Sequence, residues 1–130
     1  MYDMLNKVLI IDDSEPLHQN YKMTLRRYKC ETITALKREE GLERLAEHPD
    51  VNLILVDMNM SLSRLSGLEF IKKVREQEAC ADIPIVIVTT RGKDYAEEAL
   101  AFAAANLIKP FTSSEVHRLI ETLFPQTVSA

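Results

Sequence analysis

The stretch Val51-Asn52-Leu53-Ile54-Leu55-Val56-Asp57 is apolar at nearly every position and ends in a carboxylate. A strand that is apolar on both faces is typical of the centre of a parallel sheet, where helices cover both sides. Two further runs have this character: Val8-Leu9-Ile10-Ile11, which is followed by Asp12 and Asp13, and Ile83-Pro84-Ile85-Val86-Ile87-Val88. These runs predict a parallel sheet in which they are the interior strands.

Amphipathic stretches separate the apolar runs along the chain. Helices are expected over about 16–28, 38–47, 68–78 and 93–105, and a last helix carries the stripe Val116, Leu119, Ile120, Leu123 and Phe124. Weaker strands are expected at Glu31–Leu36 and Asn106–Ile108. Ser14 is suited to cap the first helix, and Ser113 or Ser114 the last. This alternation predicts a doubly wound α/β fold with a five-stranded parallel sheet and right-handed crossovers.

The composition is that of one soluble globular domain. The chain has 130 residues, of which 46% are apolar and 28% charged, and its net charge is −4. We expect a single domain over residues 1–130, with a core of about 7–124 and a short polar tail over 125–130. The acidic balance and the lack of a dense Lys/Arg run argue against a nucleic-acid surface.

The sequence carries no targeting or membrane signal. No apolar stretch approaches the roughly 20 residues of a membrane span, and the N-terminus has no signal-peptide pattern. Cys30 and Cys80 lack the spacing of a metal site, and free thiols fit a reducing compartment. His18, His48 and His117 are scattered, and we expect them at surface positions without chemistry. These features predict a cytoplasmic protein.

Charged side chains follow three of the predicted strands. Asp12 and Asp13 come after the first apolar run, Asp57 after the third strand, and Lys109 after Asn106–Ile108. Because ligands of a parallel α/β sheet bind at the carboxyl ends of its strands, we expect these residues to meet at one edge. A lone aspartate there more often caps a helix or starts a turn. Adjacent carboxylates, however, repel each other unless a cation joins them, and ligands that are all oxygen suit Mg²⁺.

This set of side chains is suited to phosphoryl transfer. The carboxylates can hold Mg²⁺ while one of them attacks phosphorus, and Lys109 and the hydroxyl of Thr89 can stabilise the phosphoryl oxygens. Thr89 could equally be a residue that merely favours a strand. An acyl phosphate formed on aspartate is reactive, so such a state is transient, as a signal should be.

The sequence resembles the receiver domain of two-component response regulators. The matching pieces are Val8-Leu9-Ile10-Ile11-Asp12-Asp13-Ser14, Leu53-Ile54-Leu55-Val56-Asp57 with Met60, Ile85-Val86-Ile87-Val88-Thr89-Thr90, and Leu107-Ile108-Lys109-Pro110-Phe111. They span nearly the whole chain, and their joint order is far more specific than any piece alone. The resemblance implies a flavodoxin-like sheet with strand order 2-1-3-4-5.

The resemblance implies a role for each residue of the phosphoryl chemistry. Asp57 resembles the phosphoacceptor, and Thr89 and Lys109 resemble the pair that clasps the phosphoryl group. The Lys109–Pro110 bond is cis in this family. The implied donor is a histidine kinase, a histidine phosphotransfer protein or a small acyl phosphate. Because a receiver catalyses its own phosphorylation, it is not usually classed as an enzyme.

The resemblance also implies a Mg²⁺ cofactor and a set of ligands. Asp13 resembles the direct metal ligand, with Asp57 and the backbone carbonyl of Asn59 completing the protein's share. Asp12 resembles the acid that holds a metal-bound water. In this family the face of the fourth helix, fifth strand and fifth helix usually meets downstream partners or forms a homodimer. The chain is expected to be a stand-alone receiver or a fragment of a larger regulator.

Two positions depart from the family pattern near the fifth strand. Asn106 stands where the family has an aromatic residue that moves when the domain is phosphorylated, and Phe102 stands where it has glycine. Asn106 cannot fill an apolar pocket, so a receiver-fold binding module without phosphorylation-driven switching stays open as an alternative. Phe102 is expected to be a core residue. A second alternative, a Mg²⁺-dependent phosphohydrolase, usually has an aspartate where this chain has Asn59.

The loop after Asp57 also departs from the pattern. It is about two residues longer than in the family, and its Leu62 and Leu65 are expected either to pack or to contact a partner. Arg91, two residues after Thr89, occupies a position that flanks the phosphoryl group in the family. We expect its side chain to point to solvent.

Overall fold

The computed structural model describes residues 4–90 and 95–127 of the chain. Within these residues, one parallel sheet is formed by β1 (Lys7–Ile11), β2 (Glu31–Ala35), β3 (Leu53–Asp57), β4 (Ile85–Thr90) and β5 (Ala105–Lys109). The helices are α1 (Glu15–Leu25), α2 (Arg38–Glu47), α3 (Gly67–Glu76), α4 (Tyr95–Leu100) and α5 (Ser113–Leu123), with 3₁₀ turns at Arg26–Tyr28 and Glu78–Cys80. The strand order β2-β1-β3-β4-β5 confirms the doubly wound, flavodoxin-like α/β fold.

The most apolar strands lie inside the sheet, as predicted. β1 pairs with β3 so that Ile11 is opposite Val56, and β4 pairs with the other side of β3. Every residue of β1 and β3 is buried, which is what strands covered by helices on both faces require. Because β1 and β3 are parallel neighbours in this register, their carboxyl ends open at the same edge of the sheet.

Helices α1, α3 and α5 each begin after a residue whose side chain accepts from a free backbone N–H group. Ser14 caps α1 as predicted, since its hydroxyl accepts from the backbone N–H three residues on, at 3.3 Å. The prediction of Ser113 or Ser114 as the cap of α5 is wrong. Thr112 accepts from the Glu115 N–H, and the Glu115 carboxylate accepts from the Thr112 N–H. This reciprocal capping box needs a glutamate three residues after the hydroxyl, and neither serine has one.

The fourth helix is shorter than the sequence predicts. A helix over 93–105 is expected, but α4 ends at Leu100 and the chain turns over 101–104 before β5 begins at Ala105. Its expected start at Lys93 lies outside the described residues. The Ala104 N–H donates to the carbonyl of Ile85 at 2.8 Å, so pairing with β4 has already begun there. Pairing with the sheet overrides the helix propensity of alanine.

Each face of the sheet has its own apolar core. Helices α2, α3 and α4 cover one face, where Phe70 is fully buried, and α1 and α5 cover the other, where Phe124 is fully buried. A side chain at Gly41 would place its Cβ 2.5 Å from Cδ1 of Ile11, so the Ile11 side chain would have to shift to admit it. None of the helices within 4–90 and 95–127 combines the length and apolar character needed to cross a bilayer.

Candidate functional site

Three carboxylates converge where β1 and β3 end. One oxygen from each of Asp12, Asp13 and Asp57 lies within 4.8 Å of the others. Asp12 and Asp57 are only 1% and 2% exposed, whereas Asp13 faces solvent. The structure therefore brings together the acidic strand-end residues that the sequence singled out. Their oxygens form the kind of donor set that hard divalent cations take in proteins.

Lys109 reaches these carboxylates from the end of β5. Its Nζ lies 3.1 Å from Oδ2 of Asp57 and 3.3 Å from Oδ2 of Asp12. The peptide bond between Lys109 and Pro110 is cis, as the resemblance implies. Since β4 lies between β5 and β3, the long stem of a lysine is needed to span the distance. Two buried carboxylates thus share one ammonium group.

Burial and neighbouring charges shift the pKa values of Asp12 and Lys109. Burial is the main cause that raises the pKa of Asp12, the charge of Asp57 adds to it, and the Ser14 amide and Lys109 act against it. Burial alone would lower the pKa of Lys109, but the charges of Asp57 and Asp12 outweigh burial and raise it. The lysine therefore stays charged, and Asp12 carries its charge less readily than an ordinary aspartate.

An Asp12→Asn variant is expected to be more stable than the parent protein near neutral pH in EDTA, by a few degrees in Tm. The pKa of Asp12 is raised in the folded state, so its ionised form costs stability above that pKa. The cost disappears as pH falls to the ordinary aspartate value of 3.8, and the difference in Tm should shrink over that interval. Thermal unfolding at a series of pH values measures it. A difference that does not change with pH would contradict this account.

Asn59 joins the loop that follows β3 to the last residue of β4. Its backbone N–H donates to Oδ1 of Asp57 at 2.8 Å, and its side-chain Oδ1 accepts from the N–H and the hydroxyl of Thr90 at 2.9 and 3.3 Å. Thr89 is buried, one position beyond Val88, which is opposite Asp57 in the strand ladder. Asn59 and Thr89 therefore lie at the strand ends that carry the acidic cluster.

His18 is buried, so its predicted surface position is wrong. It is 5% exposed, and its Nε2 donates to the backbone oxygen of Asp12 at 2.7 Å. This bond satisfies a ring nitrogen away from water and ties the first turn of α1 to the end of β1. A single histidine without metal spacing carries no sequence signal of such a contact. His48 and His117 are half-buried.

Arg38, which the sequence marks only as the start of the second helix, reaches the acidic site from α2. Its guanidinium group donates to the backbone carbonyl oxygen of Asp57 from Nη2 at 3.0 Å and from Nε at 3.3 Å. The residue is 3% exposed. Arginines at helix starts are mostly exposed, so the contact becomes visible only once the fold sets α2 beside the end of β3.

Two residues that depart from the family pattern are exposed: Phe102 in the turn before β5 and Asn106 in β5. Asn106 is exposed, so its amide does not enter an apolar pocket. Phe102 is 38% exposed, and the prediction that it is a core residue is wrong. Its carbonyl accepts from Nε and Nη2 of Arg75 at 3.2 and 2.9 Å, and the ammonium group of Lys72 lies 5.9 Å from its ring centroid. Contacts with α3 thus hold this residue at the surface.

The loop over 58–66 presents one leucine to solvent. Leu62 is 69% exposed, while Leu65 is half-buried. Leu65 therefore packs against the protein in part, whereas Leu62 does not and stays available for contact with a partner. Arg91, which the sequence places near the phosphoryl position, lies outside the described residues.

An open groove of about 640 Å³ lies beside the site, between α1 and the loop that joins β5 to α5. Its lining residues are Leu17, Asn20, Met23, Thr24, Thr90, Lys109, Pro110, Phe111 and Ser113. The groove leads along α1 to the lysine that bridges Asp12 and Asp57.

Comparisons with known proteins agree with this geometry. A family model described as the response regulator receiver domain matches residues 8–121. The chemotaxis protein CheY homolog of Campylobacter jejuni is 35% identical over 120 residues, which cover 88% of this chain and 89% of that protein. Chemotaxis protein CheY1 of Helicobacter pylori is 33% identical over 122 residues, which cover 90% and 95%.

A solved structure is also similar to this chain. The chemotaxis protein CheY4 of Vibrio cholerae has a TM-score of 0.81 and 28% identity to this chain, and the match covers 92% of this chain and 99% of that one. The similarity extends over nearly all of both chains.

Proposed function

We propose that this chain, which belongs to the family of response regulator receiver domains, accepts a phosphoryl group on Asp57 and then signals through contacts with other proteins. Receiver domains are generally signalling proteins and are not usually classed as enzymes. The observation that carries the proposal is the meeting of Asp12, Asp13 and Asp57 within 4.8 Å, with Lys109 bound to two of them. We further propose a histidine kinase or a histidine phosphotransfer protein as the donor, and Mg²⁺ as the cofactor.

The residues at the acidic cluster fit a magnesium ion. The carboxylates of Asp13 and Asp57 and the backbone carbonyl of Asn59 would hold it directly, and Asp12 would hold one of its waters. These donors are all oxygen, the chemistry that Mg²⁺ prefers, and exposed Asp13 keeps the cluster open to solvent. When bound, the ion offsets the negative charge of the carboxylates and of the incoming phosphoryl group.

Asp57 is the carboxylate best placed to attack. The Asn59 amide bonds to its Oδ1 and fixes the plane of the carboxylate, while its Oδ2 faces Lys109. As an oxygen of Asp57 bonds to phosphorus, the N–P bond of the donor phosphohistidine breaks, and its electron pair stays on the imidazole nitrogen. Lys109 and the hydroxyl of Thr89 then stabilise the negative charge on the phosphoryl oxygens.

Two different surfaces are available for the donor and the downstream partner. The groove along α1 ends at Lys109, so a donor seated there would bring its phosphohistidine to Asp57. On the side of the chain formed by α4, β5 and α5, apolar side chains are exposed on α4 at Leu100 and on β5 at Ile108. Exposed apolar side chains on these elements support their use by a downstream protein or by a second copy of the chain.

Incubation with acetyl phosphate and Mg²⁺ is expected to add one phosphoryl group to Asp57. The nucleophile, the cation-binding oxygens and Lys109 are already assembled, so a small acyl phosphate can replace the protein donor. Intact mass spectrometry measures the added mass, and fragmentation of the peptide locates it. EDTA and an Asp57→Asn variant should each abolish the addition.

Two outcomes would contradict the proposed function. The first is a folded protein that gains no phosphoryl group, or gains it at a residue other than Asp57. The second is continuous hydrolysis of a phosphate monoester that the Asp57→Asn substitution abolishes, because that result would support the phosphohydrolase instead.

A further inference from the structure

We propose that Arg38 is a positioning residue for the aspartate site: it fixes the main chain at Asp57 and the loop over 58–66, and thereby sets the affinity of the site for Mg²⁺. The inference deepens the proposed function and rests on it for the identity of the cation. Arg38 stands at the start of α2 and is not part of the acidic cluster, yet it would affect how that cluster binds the cation.

The guanidinium group of Arg38 bonds to both ends of the loop. Nη2 and Nε donate to the carbonyl of Asp57, where the loop begins, and Nη1 donates to the carbonyl of Leu65 at 2.7 Å, where the loop ends. A planar fork with donors pointing in fixed directions can hold two carbonyls at once, which a lysine ammonium on a flexible stem does less well. The separation of the two ends of the loop is therefore set by one rigid group.

Burial makes these bonds stronger than surface contacts. Arg38 is 3% exposed, so its charge has left bulk water and depends on the carbonyl oxygens it meets. Hydrogen bonds from a charged donor are roughly twice as strong as bonds between neutral groups. Moving either carbonyl away would break a hydrogen bond of this buried guanidinium group, which opposes a shift of the loop.

Two further bonds complete the connection between α2 and the loop. The backbone N–H of Arg38 donates to the hydroxyl of Ser63 at 3.0 Å, and the Leu65 N–H donates to Oε1 of Glu39 at 2.9 Å. The bond from Leu65 is also the main cause that lowers the pKa of Glu39, so this carboxylate stays charged. Leu65 is thus held through both its carbonyl and its N–H.

The held loop contains the residue that bridges to β4. Asn59 lies two positions after Asp57, bonds to the Asp57 carboxylate and accepts from Thr90. Its carbonyl is also the proposed backbone ligand for Mg²⁺. Because the carbonyl that Arg38 holds belongs to Asp57 itself, displacement of this main chain would move the Asp57 carboxylate and the Asn59 carbonyl together.

Arg38→Met is expected to weaken Mg²⁺ binding about tenfold, the usual effect of removing a group that orients a metal ligand. Arg38→Lys, which keeps the charge but not the fork, should fall between the parent protein and Arg38→Met. Arg44→Met is the matched control, because Arg44 lies on the same helix and forms ion pairs with Glu40 and Glu47 of that helix. Isothermal titration calorimetry measures Kd for Mg²⁺, and hydrogen exchange followed by mass spectrometry measures protection of the amides over 58–66.

The expected pattern is weaker Mg²⁺ binding and faster exchange over 58–66 in both Arg38 variants, with the parent values in Arg44→Met. A Kd within about twofold of the parent, below the usual effect of losing an orienting group, would overturn the inference. So would exchange that rises equally in β1 and β3, because that shows general loosening. If Arg38→Met does not fold, Arg38→Lys is judged by the same limits.

These measurements separate the inference from the proposed function. Mg²⁺ affinity and amide exchange are read without any phosphoryl donor, so they decide the role of Arg38 even if Asp57 takes up no phosphate. A parent protein that acetyl phosphate fails to label would contradict the proposed function and leave the effect of Arg38 on the cation site to be judged on its own readouts.

Discussion

Lys109→Met is expected to slow phosphorylation of Asp57 by about a hundredfold, the usual effect of removing one donor that stabilises charge in a transition state. The same substitution should lower the free energy of unfolding in EDTA by about 2 kcal/mol at neutral pH. Breaking a buried ion pair by removing one partner costs roughly 3–5 kcal/mol, and the partial exposure of the lysine reduces that figure. Its side chain is 24% exposed, while those of Asp12 and Asp57 are 1% and 2% exposed.

The loss arises because both carboxylates would remain buried without their shared cation. Lys109 is the group that bonds to Oδ2 of each, so its removal leaves their repulsion unopposed. Adding Mg²⁺ should restore much of the lost stability, since a bound cation takes over this role. A second substitution, Asp12→Asn, should also restore it in EDTA, because only one buried charge would then remain.

Urea unfolding with and without Mg²⁺ measures the stability, and mass spectrometry during incubation with acetyl phosphate measures the rate. Lys73→Met provides the matched control, because Lys73 is exposed on α3. A Lys109→Met protein that unfolds at the parent's urea concentration in EDTA would show that the carboxylates do not depend on the lysine for charge balance. A parent rate of labelling would remove Lys109 from the proposed chemistry.

The strand-end residues could be predicted because they depend on topology alone. Asp12, Asp57 and Lys109 each follow an apolar run, and parallel strands must present such positions at one edge of the sheet. The burial of β1 and β3 follows in the same way from runs that are apolar on both faces. For these features the apolar pattern of the sequence matches the burial of the same residues in the folded protein.

The missed features depend on contacts with particular backbone groups, most of them in distant segments. The end of α4 is set by pairing of Ala104 with Ile85, which local helix propensity cannot register. His18 and Arg38 are buried because each finds a backbone carbonyl, of Asp12 and of Asp57, that becomes available only when the sheet is formed. A backbone carbonyl is present at every residue, so the sequence carries no mark of which one a polar side chain will meet.

Phe70→Ala is expected to lower the free energy of unfolding by about 3–5 kcal/mol, a large part of the roughly 5–15 kcal/mol typical of a whole domain. Phe70 is fully buried on α3 and lies in the same core cluster as Ile11 and Val56. Ile11 directly precedes Asp12, and Val56 directly precedes Asp57. The ring would lie 3.3 Å from a Cβ at Gly41, so α2, α3 and the sheet are already close here and can collapse little into the space left.

Urea unfolding of Phe70→Ala and Phe102→Ala tests whether Phe70 contributes to stability as a fully buried core residue. Each substitution removes one phenyl ring. Because Phe102 is 38% exposed, the loss of its ring should cost less than about 1 kcal/mol. Phe70→Leu should cost less than Phe70→Ala because it leaves a smaller cavity. Equal losses for Phe70→Ala and Phe102→Ala would contradict the burial that the structure assigns to Phe70.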